Sequence, residues 1–85
     1  MASITYYAAI PFVQNEDGEL FAGEAKEAPN EHLARRHASS MAGANYIGAV
    51  AFSRTGDPST GDFEPAVILA RYGNIPADIS EYTGA

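Results

Sequence analysis

Between Ile4 and Val13 the chain alternates with a period of two. Ile4, Tyr6, Ala8, Ile10 and Phe12 fall on one side, and Thr5, Tyr7, Ala9, Pro11 and Val13 on the other. That period, in a run rich in aromatic and β-branched residues, predicts a strand. Pro11 has no N–H to give to a ladder, which places it near the strand end or on an unpaired side. Asn15-Glu16-Asp17-Gly18 reads as a turn with Gly18 in the left-handed region. A second strand, Leu20 to Lys26, returns from it, with Glu24 and Lys26 guarding an outer edge.

The period then changes. Asn30 is a good N-cap, and Glu31 suits the positive end of a helix dipole. From Glu31 to about Ala42, residues Leu33, Ala34, His37, Ala38, Met41 and Ala44 fall within one arc at 100° per residue, while Arg35, Arg36, Ser39 and Ser40 lie outside it. Glu31 and Arg35 make an i,i+4 pair, and Gly43 is the expected stop. The helix is expected to pack through Leu33, His37, Ala38 and Met41. Period two resumes from Tyr46 to Arg54 and again within Phe63 to Gly73, best from Ala66 to Tyr72. Thr55 to Asp62 forms a loop between them, and a short turn is expected at Pro76 to Glu81.

The order β-β-α-β-β predicts an α+β fold: a four-stranded, mainly antiparallel sheet in the order 2-1-3-4, with one helix across one face. Residues 1–85 read as a single domain, with residues 74–85 a loosely held tail.

The last two strands are apolar in both phases. In the usual register Ile47, Ala49, Ala51, Val67 and Leu69 share one face, and Tyr46, Gly48, Val50, Phe52, Ile68 and Tyr72 the other. Strands of this kind are covered on both sides, yet one helix covers only one. The tail offers Ile75, Ile79 and Tyr82 as a lid, but it is short and broken by Pro76. A second copy offers the same face, so a homodimer is expected, with Ile47, Ala49, Ala51, Val67 and Leu69 as its candidate interface. Another protein is the other partner considered.

Composition narrows the function classes. With 5 Lys plus Arg against 11 Asp plus Glu, the net charge is −6, a field that repels nucleic-acid phosphates and anionic membrane surfaces. Neither is an expected partner. The absence of Cys excludes disulfides and thiolate metal sites. Met1 to Tyr7 lacks the basic start and apolar run of a signal peptide, and no stretch approaches the ~20 apolar residues of a membrane span. A cytoplasmic location is the expectation.

Candidate chemistry is sparse. Gly56 and Gly61 have the spacing that opens a P-loop, but Asp62-Phe63 stand where Lys and Ser or Thr are required, and the segment joins strand to strand. His32 and His37, five apart on a helix, point about 140° from each other and cannot chelate one metal. No nucleophile elbow accompanies the serines. Glu16-Asp17, and Glu24 with Glu27, read as solubility and edge protection. No catalytic residue, metal centre or cofactor is expected, and the chain is not expected to be an enzyme. One ligand reading survives: Arg54 offers a fork for a carboxylate or phosphate, with Asp57 and Asp62 to orient it or hold a cation. The plainer expectation is that Arg54 pairs with one of these aspartates.

Leu33-Ala34-Arg35-Arg36-His37-Ala38, the run Gly48-Ala49-Val50-Ala51-Phe52-Ser53-Arg54-Thr55-Gly56-Asp57-Pro58 and the segment Gly61 to Gly73 resemble a group of small uncharacterised bacterial proteins. The likeness spans roughly residues 12 to 76 and is most specific at Ser53 to Pro58. It implies no activity and carries over no catalytic residue. The functional expectation is therefore a non-enzymatic protein-interaction or assembly module. A small-ligand or anion-binding domain using the Ser53–Asp62 loop is the alternative.

Overall fold

The computed structural model describes residues 3–44 and 46–76. They form an α+β fold with β1 (Ile4–Gln14), β2 (Leu20–Ala22), β3 (Lys26–Ala28), α1 (Glu31–Gly43), β4 (Gly48–Asp57), β5 (Asp62–Phe63) and β6 (Val67–Gly73). The sheet is antiparallel throughout. Its centre is β1 against β4, in unbroken register from Ile4↔Gly56 to Phe12↔Gly48. β2 and β3 both pair with the outer side of β1, and β5 and β6 both pair with β4. Six strands thus replace the expected four, because each outer strand is cut in two.

Both cuts have the same form. Phe12 faces Ala22 and Ala9 faces Lys26, so Gly23, Glu24 and Ala25 lie opposite only Ile10 and Pro11. A residue in an antiparallel strand turns its N–H and C=O toward the same neighbour. The Pro11 carbonyl accepts from Gly23 N at 2.8 Å, so the missing N–H faces this same edge, and the ladder fails there. Pro11 is accordingly buried in mid-strand rather than near a strand end. On the other side Gly56 faces Phe63 and Ser53 faces Val67. Glu64, Pro65 and Ala66 lie opposite only Arg54 and Thr55. Extra residues of this kind end pairing and twist an edge away from aggregation.

The turn at Asn15 forms as its sequence implies. Asn15 Oδ1 accepts from Asp17 N and Glu19 N at 3.0 and 2.8 Å, and Gly18 has φ 84°. Asn30 caps α1 through Leu33 N at 2.9 Å, an interaction worth about 1 kcal/mol. Arg35 and Glu31 pair at 2.9 Å.

The helix lies on the face that carries Tyr7, Ala9, Ala49 and Ala51. Ala34 and Ala38 of α1 meet Ala9, Ala28, Ala49 and Ala51 in a fully buried patch of methyl groups, flanked by Leu33, Met41, Leu69, Ala70 and Tyr72. Small side chains on both surfaces let the backbones approach closely. Ala34 joins Ala38 as a buried contact of the helix, while Leu33, Met41 and His37 are half-buried.

One face assignment changes. Ala51 faces Ala70 but Phe52 faces Ile68, so Leu69 is an extra residue in β6. Beyond this bulge the phase of β6 reverses, and Tyr72 joins the helix side rather than the face of Val50 and Phe52. The expected interface residues lie on the side that the helix takes. Ala49 and Ala51 are fully covered by α1, and Leu69 packs against the same cluster. Ile47 is half-buried before β4, and Val67 is 60% exposed beyond the helix. A second copy cannot reach the two alanines while the helix is in place.

The opposite face holds a second cluster of Ile10, Phe12 and Val50, flanked by Ala22, Phe52, Ile68 and Ile75. Ile75 gets there through a backbone crossing. Gly73 has φ 69°, Asn74 N donates to the Ile47 carbonyl at 2.9 Å, and the Asn74 carbonyl occupies the space a Gly48 side chain would need. Because Gly48 shares the phase of Val50, the chain leaves β6 onto the face away from the helix. Of the expected lid residues, Ile79 and Tyr82 lie outside the described residues, as does most of the turn expected at Pro76 to Glu81.

The buried members of the helix side are mostly alanine, each contributing less than about 1 kcal/mol, whereas burying Phe12, Val50 or Ile10 contributes about 1.5–3 kcal/mol. Phe12→Ala should therefore cost about 3–5 kcal/mol, most of the stability of a domain this small. Phe21→Ala, at a site 47% exposed, should cost far less. Equal losses in urea unfolding would contradict the assignment of Phe12 to the core.

Candidate functional site

Period two separates the residues that the sequence grouped as a ligand site. β4 does not stop at Arg54: Thr55 pairs with Thr5, Gly56 with Ile4 and Phe63, and Asp57 with Asp62. The loop shrinks to Pro58–Gly61. Arg54 therefore shares a face with Val50 and Phe52, while Asp57, three residues on, projects from the helix side together with its cross-strand neighbour Asp62. The structure does not bring Arg54, Asp57 and Asp62 together.

Asp57 is occupied within its own turn. Its Oδ1 accepts from the Ser59 hydroxyl at 2.6 Å and from Ser59 N at 2.9 Å. Its carbonyl accepts from Gly61 N at 2.9 Å, and Gly61 has φ 78°. The hydroxyl hydrogen bond first, and the amide second, hold the Asp57 carboxyl below its ordinary value of 3.8. The loop is a self-satisfied hairpin turn. No group of three or more His, Asp or Glu placed to hold a metal occurs among the described residues, and those residues enclose no pocket.

Arg54 has a different neighbourhood. Its guanidinium carbon lies 5.1 Å from the centre of the Phe63 ring, a cation–π distance. Phe63 in turn lies 5.9 Å from Tyr6, ring centre to ring centre, and Tyr6 is the cross-strand partner of Arg54. The Phe63 ring reaches this position because it crosses the backbone at Gly56, where any side chain would collide with it. The Arg54 Nε is buried and has no hydrogen-bond partner among the described residues. The only ion pair among the described residues is Arg35–Glu31, so Arg54 pairs with neither expected aspartate.

Around this stack the face opposite the helix stays partly open. Tyr6, Ala8, Phe52, Phe63 and Ile68 are half-buried, and Ile4 is 42% exposed. The same face is closed at its other end, where Phe12 and Val50 have no exposure. Phe63 was missing from the candidate site residues because it stands at the start of the segment Phe63 to Gly73, ahead of the best strand from Ala66 to Tyr72. Its signal is Gly56, the one position in that stretch of β4 without a side chain. His32 is exposed and His37 half-buried on the helix.

No helix among the described residues is long and apolar enough to cross a membrane. No protein-family model, curated protein or solved structure matches this chain. The functional reading therefore rests on the geometry of the open face.

The Asp57 turn predicts a pH effect. A carboxyl whose folded pKa is depressed adds stability that is complete above its unfolded value, near 3.8, and is lost as pH falls through the folded value. Ser59→Ala should raise the Asp57 midpoint toward 3.8 in an NMR titration and remove that acid-sensitive contribution. An unchanged midpoint would show that the hydroxyl does not hold the carboxylate.

Proposed function

We propose that this chain is a non-enzymatic interaction module that forms a homodimer through the sheet face opposite its helix. The supporting observation is the half-open patch of Tyr6, Phe52, Arg54, Phe63 and Ile68. It joins Tyr, Phe and Arg side chains, the first and last of which dominate binding hot spots, and its arginine makes no ion pair among the described residues. Ile10, Phe12 and Val50 form a rigid, buried continuation of the same surface. A flat apolar patch of this kind suits another protein surface better than a small ligand, which needs concave walls.

A second copy is the simplest partner, because twofold pairing buries the same patch on both chains at once. A stable face-to-face dimer buries about 800 Å² on each partner. The anion-binding alternative has less support, since the acidic half of its proposed site faces away from Arg54 and Asp57 is already satisfied by Ser59. The two- and three-residue strands β2, β3 and β5 and the bulge in β6 also make edge-to-edge association the less favourable mode.

Phe52→Asp puts a charge in the middle of the patch while leaving the alanine contacts of the helix untouched. Sedimentation equilibrium at micromolar concentration should give a dimer for the natural sequence and a monomer for Phe52→Asp. A natural chain that stays at its monomer mass of 9.0 kDa throughout would overturn the homodimer.

A further inference from the structure

The open face carries charge on both sides of β1. Arg54 projects from β4, in register with Tyr6 of β1. Glu27 projects from β3, in register with Ala8 of β1. The phase of Glu27 is set by its neighbour Ala28, which is buried under the helix and so sends Glu27 to the opposite face. β3 and β4 flank β1, about 10 Å apart across two strand spacings, and the two residues are offset along it by two positions, about 7 Å. Arg54 and Glu27 form no ion pair with each other or with any described residue. Among the described residues each charge is unmatched, on a surface that is otherwise apolar around Tyr6, Ala8 and Phe52.

We infer that the second copy docks about a twofold axis running along β1, so that Arg54 meets the partner's Glu27 and Glu27 meets the partner's Arg54. This rests on the homodimer proposed above and assigns its register. A twofold along β1 exchanges the two flanks of that strand, which brings the β4 side of one copy over the β3 side of the other. It sets Tyr6 and Ala8 near their own counterparts on the axis. It also supplies a carboxylate for the Arg54 guanidinium, which makes no ion pair among the described residues. An isologous interface makes each such contact twice. Charge complementarity favours this axis in particular, because registers that superpose β4 on the partner's β4 bring arginine toward arginine in water-poor surroundings, where like charges repel strongly.

The register is tested by charge exchange in the full chain. Arg54→Glu and Glu27→Arg should each weaken dimerisation by at least about tenfold in sedimentation velocity across a concentration series, since each variant sets two like charges against each other at both symmetric contacts. The double variant Arg54→Glu/Glu27→Arg should recover the dimer to within about threefold of the natural chain. Circular dichroism and thermal unfolding of each variant separate loss of pairing from loss of fold. If the single variants dimerise like the natural chain, the open-face dimer survives and this register is wrong. If they weaken it and the double variant does not recover, Arg54 meets some other acid and the register is again wrong. A natural chain that is monomeric overturns the dimer and the register together, and places either the chain's own C-terminal residues or a different protein on the face.

Discussion

One helix cannot cover two faces of a sheet, and in this chain both faces of the central strands are apolar. The rest of the structure answers that mismatch. The helix takes the side built from Ala9, Ala49 and Ala51, where small side chains allow Ala34 and Ala38 to come close. The other side holds the large residues Ile10, Phe12, Val50 and Phe52, which have most to gain from leaving water. The described residues close one end of that side, by crossing over Gly48 and laying down Ile75. The end around Tyr6, Arg54 and Phe63 stays half-open, and the functional proposal follows from that remainder.

The edges of the sheet reinforce the same division. Pro11 turns its missing N–H toward β2 and β3, and an extra residue on each outer strand breaks the ladder there. Leu69 adds a second irregularity in β6. Long flat edges are ready templates for adding another strand; here β2, β3 and β5 are two or three residues long and β6 is bulged at Leu69. The association surface proposed above is accordingly the face and not an edge. Within it, the cation–π contact with Phe63 holds Arg54 in place before any partner arrives, which lowers the conformational entropy lost on binding.

Much of the fold was legible in the chain because its signals are local. Alternation marked the central strands, Asn30 and Gly43 bounded the helix, and Asp17-Gly18 marked the first turn. The choice of helix face was not legible from hydrophobicity, since both phases of the strands are apolar. Residue size carries that information: the alanines on the helix match the Ala49 and Ala51 phase of β4, while the other phase of that strand carries Val50 and Phe52. The bulges were hidden because an extra residue is a property of pairing between strands, and Tyr72 changed sides for that reason. The candidate ligand site failed for a related cause. Thr55, Gly56 and Asp57 look like loop residues, yet Ile4, Thr5, Asp62 and Phe63 pair with them as strand. Once they are strand, residues 54 and 57 must point to opposite faces. Gly56 was read as loop punctuation, whereas its role is to make room for the Phe63 ring.

The central claim is that the helix face is internal scaffolding and the opposite face is the association surface. Isotope-filtered NMR on an equal mixture of labelled and unlabelled chains reads this directly, since only contacts between copies give signals. The account predicts intermolecular cross-peaks from the rings of Tyr6, Phe52 and Phe63, and none from Ala34, Ala38 or Met41 of the helix. Cross-peaks confined to the helix, or to the outer edge of β6 around Val67, would contradict it.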